Sequence, residues 1–141
     1  MDKVQPATRS KIMAAIRGKD TSPEKAVRHA LFRRGFRYRL HAKGLPGVPD
    51  IVLPRYRTAI FVHGCFWHGH DCPRGRRPLS NRDFWDRKLN SNRVRDLRNQ
   101  EALRSAGWQV QVIWECMLDA DCRKVLDGLE MQRHLFKGPE S

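Results

Sequence analysis

The stretch His63-Gly64-Cys65-Phe66-Trp67-His68-Gly69-His70-Asp71-Cys72 places three histidines and two cysteines within ten positions, beside two large aromatic residues. A loop of this kind has little regular secondary structure to hold it, so bonds other than a packed core must fix its shape. Cys65, His70 and Cys72 have spacings suited to a shared zinc ion, which accepts thiolate and imidazole together in a tetrahedral shell. The fourth ligand must come from elsewhere in the chain. Cys116 follows a strand that ends at Trp114, and a neighbouring strand end can bring it across. Cys122 is the rival, although a mid-helix position far from the strand end favours a plain thiol there. A site closed by four protein ligands is structural and not catalytic. It would pin both ends of a loop that presents Phe66, Trp67 and His68. Four cysteines without a secretory signal fit a reducing compartment, where thiols bind metal or stay free.

The 141 residues read as one domain, long enough to bury a core without disulfides. No apolar run approaches the roughly 18 residues that a membrane span needs, and no signal-peptide pattern opens the chain. Residues 1–20 read as a basic arm and a short helix. Thr21-Ser22-Pro23-Glu24 is a helix start, with Thr three residues before Glu and proline in the first turn. Apolar Ala26, Val27, Ala30 and Leu31 follow at helical spacing, and Gly35 can end the helix. Residues 36–40 alternate as a half-buried strand, and residues 45–49 hold two prolines and must be irregular. Residues 50–53 and 58–63 form a hairpin across a turn at residues 54–57. Residues 80–106 are helical, with a break near Asn90-Ser91. Residues 108–114 alternate as a strand that buries Trp108 and Trp114, and residues 119–134 form the last helix. The order α-β-β-β-α-β-α predicts an α/β fold with a mixed sheet flanked by helices.

Charge narrows the partner. Lys and Arg number 28 against 15 Asp and Glu, a formal net charge of +13 with a pI near 10.5. Residues 1–43 carry 12 basic and 3 acidic side chains, and residues 74–98 carry 9 and 3. The segment 115–141 is mildly acidic, with 4 basic and 6 acidic residues. Two basic blocks of this size favour nucleic acid over acidic small molecules or anionic lipid.

Asp50 is the only acid between Glu24 and Asp71. The hairpin sets it at the start of one strand and His63 at the end of the next, at the same sheet edge. A lone Asp after a proline-rich turn is commonly a turn-capping residue. Beside two histidines in a basic protein, it becomes a candidate magnesium ligand for phosphodiester hydrolysis.

These residues together resemble a known family. Gly47-Val48-Pro49-Asp50, then residues 61–68 (Phe-Val-His-Gly-Cys-Phe-Trp-His), then Trp114-Glu115-Cys116 look like the very-short-patch repair (Vsr) DNA mismatch endonucleases. Residues 7–11 and Phe84-Trp85 fit the same pattern. The resemblance implies a restriction-endonuclease-like fold and a magnesium-dependent nick on the 5′ side of the thymine in a T:G mismatch. Such mismatches arise when 5-methylcytosine deaminates. By that resemblance Asp50 holds Mg2+ with the backbone carbonyl of Val62, and His68 is the general base. His63 assists at the scissile phosphate, with Glu24 and Asp96 as supporting groups. Cys65, His70, Cys72 and Cys116 hold the structural Zn2+. Phe66, Trp67 and Trp85 wedge into the duplex, although for Trp85 packing within a helix competes with that role. Relatives commonly carry Thr at the position of Val62, a change that leaves a carbonyl ligand intact. The second strand lacks the acid-x-Lys ending usual in restriction-type nucleases, so the implied mechanism rests on histidine. The implied setting is double-stranded DNA in the cytoplasm of a bacterium, at the nucleoid, with a cytosine-5 DNA methyltransferase as functional associate and the enzyme as a monomer. The competing readings are a zinc-stabilised DNA-binding module without catalysis and a less specific nuclease on the same scaffold.

Overall fold

The computed structural model describes residues 20–137. The basic arm and short helix expected before Asp20, residues 7–11 among them, and the last four residues lie outside that range.

Helix α1 (Ser22–Arg33) starts where the motif requires. The Thr21 side chain caps it by accepting the Glu24 N–H at 3.3 Å, and Pro23 fills the first turn. Four strands follow: β1 (Arg39–Leu40), β2 (Ile51–Leu53), β3 (Thr58–His63) and, after helix α2 (Arg82–Ser105), β4 (Gln109–Trp114). Helix α3 (Leu118–Lys137) closes the described chain. The sheet order is β1-β2-β3-β4. The first two pairings are antiparallel, and β3 with β4 is parallel, so α2 is the crossover that a parallel pair requires.

Two expectations need correction. Only Arg39 and Leu40 of the first expected strand join the ladder, because Phe36 turns into the core and packs edge-on to Tyr56, with centroids 5.6 Å apart. Helix α2 runs unbroken through Asn90 and Ser91. Leu89 and Asn92 on either side are buried, so the polar pair is only the outward face of a continuous helix.

Strand alternation splits the interior in two. Ile51, Leu53 and Ile60 face one side and meet Val27 and Leu31 of α1 and Leu126 and Leu129 of α3. Val52, Ala59 and Phe61 face the other and meet Leu103 of α2. The result is a mixed sheet covered by α1 and α3 on one face and α2 on the other. His63 follows Phe61 in parity and therefore turns toward α2. The start of β2 and the ends of β3 and β4 lie at one edge, and the functional candidates gather there.

Ile60 is fully buried at the centre of this sheet. Ile60→Ala is expected to lower stability by about 2–5 kcal/mol, read from urea denaturation midpoints at unchanged slope.

Candidate active site and metal centre

The hairpin register pairs Ile51 with Ile60, which sets Pro49 opposite Val62. Proline has no N–H for the Val62 carbonyl, so the ladder stops there. The Asp50 Oδ2 instead accepts the Val62 N–H at 2.8 Å. The observed contact is thus through the Val62 amide hydrogen, leaving the carbonyl without a ladder donor. Burial pushes the Asp50 carboxyl up to about 7; the charge of Glu24 adds to the rise, and the Val62 hydrogen bond and Arg28 oppose it.

Glu24, only 1% exposed, is fully partnered. It accepts the Asp20 N–H at 3.0 Å, the Arg28 guanidinium at 2.6 Å and meets His41 Nε2 at 2.7 Å. The donor atoms of Asp20, Glu24 and His41 converge enough for a metal, but Arg28 already supplies the cation there.

His63, His68 and Asp96 also converge. The His63 and His68 rings stack face to face with centroids 3.6 Å apart and planes within 4°. His68 Nδ1 lies 2.6 Å from Asp96 Oδ2 on α2. Burial works against an ionised Asp96, but the His68 hydrogen bond and the neighbouring Arg95 help to hold its carboxyl below the ordinary range. An ionised Asp96 fixes the proton on His68 Nδ1 and leaves Nε2 with its lone pair. Burial first, then the facing His68, pushes His63 down to about 3, so it is a neutral imidazole at physiological pH.

The loop between Cys65 and Cys72 closes on itself. His70 N–H donates to the Cys65 carbonyl at 2.9 Å and Cys72 N–H to the His70 carbonyl at 3.0 Å. A Cβ at Gly75 would fall 2.0 Å from the His70 carbonyl oxygen, so only glycine allows that approach. The ligand atoms of Cys65, His70, Cys72 and Cys116 all lie within 4.8 Å of one another. Cys116 arrives on a short turn, Glu115–Met117, directly after β4, and its Sγ is 3.4 Å from His70 Nδ1. Burial and the crowding thiols of Cys72 and Cys116 push the Cys65 thiol up. Such a cluster resists ionisation unless a cation shares the charge. Cys122 is elsewhere, packed against the core beneath α3.

Phe66, Trp67 and Trp85 form a mutual edge-to-face cluster, with centroids 4.9, 5.3 and 5.9 Å apart. Trp85 therefore packs on the loop from the first turn of α2. Two contributors escaped the sequence reading. Asn92 is buried and donates Nδ2 to the Trp67 carbonyl at 2.9 Å, tying the loop to α2. Trp114, expected in the core, is half-buried and stacks on His70 at 3.9 Å.

Comparison with known proteins agrees with this geometry. The family model for the DNA mismatch endonuclease Vsr matches residues 1–74. The chain is 48% identical over 132 residues to the type II nicking enzyme V.XorIIP of Xanthomonas oryzae, covering 89% of this chain and 97% of that protein. It is 49% identical over 123 residues to the type II nicking enzyme V.NmeAIP of Neisseria meningitidis, covering 86% and 88%. It is 44% identical over 112 residues to the DNA mismatch endonuclease Vsr of Escherichia coli, covering 79% and 72%. The chain belongs to the Vsr family. Its mixed sheet between helices is thus the restriction-endonuclease-like fold of Vsr proteins, and its chemistry is that of a DNA endonuclease. The Vsr match carries Asp50, His63 and His68 together with three of the four clustered metal donors. No helix among the described residues is long and apolar enough to cross a membrane.

The Asp96–His68 pair has a pH signature. A carboxyl held low in the fold contributes stability that is complete above its unfolded pKa of about 3.9 and vanishes as pH falls through the folded value. Asp96→Asn is therefore expected to destabilise the protein more at pH 6 than at pH 3, measured as the difference in urea unfolding free energy.

Proposed function

We propose that this endonuclease nicks double-stranded DNA on the 5′ side of the thymine in T:G mismatches left by deaminated 5-methylcytosine. Magnesium at Asp50 and a structural zinc at Cys65, His70, Cys72 and Cys116 serve that reaction. The observation that carries the reading is the arrangement of one short loop. It holds His68, paired at 2.6 Å with Asp96, next to two of the three clustered aromatic rings. The lesion's origin makes a cytosine-5 DNA methyltransferase the functional associate, and the enzyme works as a single-domain monomer at the bacterial nucleoid.

Both metals suit their donors. Three thiols and one imidazole form a soft, closed set that fits zinc. The half-buried Asp50 carboxylate and the Val62 carbonyl, which lacks a ladder donor, are hard oxygens that fit magnesium. When bound, magnesium supplies Lewis-acid stabilisation of negative charge at the scissile phosphate. The chain does the rest. Asp96 holds the His68 proton on Nδ1, so Nε2 accepts a proton from the attacking water. The water oxygen bonds to phosphorus, and the phosphorus–oxygen bond to the leaving nucleotide breaks. His63, flat against His68, restrains the plane of the base and stays uncharged.

The aromatic cluster accounts for mismatch selection. Wedging rings between base pairs costs a few kcal/mol of unstacking, offset by about 1–3 kcal/mol per stacked base. A mispaired step opens more cheaply than a paired one, so the wedge favours T:G sites.

Three outcomes follow. Cys116→Ala is expected to lose the single bound zinc and much of the stability, while Cys122→Ala keeps both, read by metal analysis and thermal melting. Asp50→Ala is expected to abolish nicking with T:G binding retained, and His68→Ala to slow nicking by about 10²–10⁴-fold in single-turnover assays. Retained nicking by Asp50→Ala would overturn the assignment. Trp67→Ala is expected to weaken T:G binding more than matched-duplex binding at an unchanged salt slope, because the slope reports phosphate contacts alone.

A further inference from the structure

We propose that Trp114 is a positioning residue that links the four-donor metal centre to the catalytic imidazoles through its indole ring. The proposal rests on the reading of His68 as general base. Parallel pairing sets Trp114 directly beside His63 in the register, so both side chains leave the same face of the sheet. The indole lies flat on the His70 ring, with centroids 3.9 Å apart and planes within 9°. The His63 ring lies 5.1 Å from the indole at 71°, and the His68 ring 6.4 Å at 75°. His63 is therefore covered on one face by His68 and flanked at its rim by the indole.

The backbone that carries the indole is itself anchored. The Trp114 main-chain N–H donates to Asp121 Oδ2 at 3.0 Å at the start of α3. The next residue, Glu115, accepts the Cys65 N–H at 3.3 Å, and Cys116 follows it into the metal cluster. Backbone and ring thus both tie Trp114 to the metal side, while the indole flanks the rim of the imidazole pair. Stacking of this kind restricts ring orientation by contact rather than by charge. A leucine at this position would fill volume but offer no flat face to His70 and no ring beside His63.

The test uses the zinc-loaded full chain, its Trp114→Leu and Trp114→Phe variants, and a T:G duplex with magnesium. Trp114→Leu is expected to keep its zinc and its T:G affinity while the single-turnover nicking rate falls about 10²-fold, the size of loss that a misplacement near 1 Å produces. Trp114→Phe should recover most of that loss. In the zinc-loaded proteins, the imidazole carbon-bound proton signals of His63 and His68 should shift in Trp114→Leu and return toward the parent in Trp114→Phe. Parental rate and unmoved imidazole signals in Trp114→Leu overturn the link. So does a rate loss that tracks zinc loss and is repaired by added zinc, which would make Trp114 a support of the metal centre alone. If Trp114→Leu does not fold, Trp114→Phe decides by the same readouts. A reduced rate with shifted signals supports the link, and parental values for both overturn it. If the parent nicks no T:G duplex, the catalytic reading fails, yet the imidazole signals still decide whether the link exists.

Discussion

The loop from Gly64 to Cys72 has no ladder of its own, and the site depends on what holds it. Four side chains from two neighbouring strand ends converge on one point, within 4.8 Å of each other. That convergence is possible because β3 and β4 run parallel, so both strands end at the same edge of the sheet. The backbone bonds inside the loop are few and local, and one of its close approaches tolerates only glycine, at position 75. With the donors drawn together, His68 is delivered to Asp96 and the Trp67 carbonyl to Asn92. Loop geometry and the positions of the reacting groups are thus one problem with one solution.

The hairpin mouth supplies the second half of the site by a different device. Asp50 is half-buried beside a backbone amide and near the charge of Glu24, an arrangement that resists ionisation in the absence of a cation. Glu24, in turn, is paired with Arg28 and contacted by His41. The two carboxylates therefore have different roles set by environment. One accepts a guanidinium, and the other accepts a backbone amide.

Much of this was legible in the sequence because the signals are local. The Thr21–Glu24 motif fixes the start of α1, and the two prolines and the turn fix the hairpin that brings Asp50 to the same edge as His63. The four clustered donors were legible by spacing for three residues and by strand-end adjacency for Cys116. Asp96 was reached only by family resemblance, because a helix residue contacts the loop through tertiary packing that no local pattern records. Trp114 was misread as core. The layer facing α2 stops at Phe61 and Val112, so the next residues of that parity, His63 and Trp114, pass beyond it into the site. The exposed face of α2 at Asn90-Ser91 imitated a break because polarity alone does not distinguish a solvated helix surface from a loop.

In the proposed reading, family membership, the four-donor cluster and the His68–Asp96 pair serve one reaction, a nick at a mismatched step. The measurement that tests it most directly is cleavage of a duplex library with randomised flanks around a central T:G pair, alongside the same library with a matched C:G pair. With magnesium, the account predicts one nick per T:G duplex, on the thymine strand 5′ of the mispaired base, with matched duplexes left intact. Equal cutting of matched and mismatched duplexes, or tight T:G binding with no nick, would contradict it.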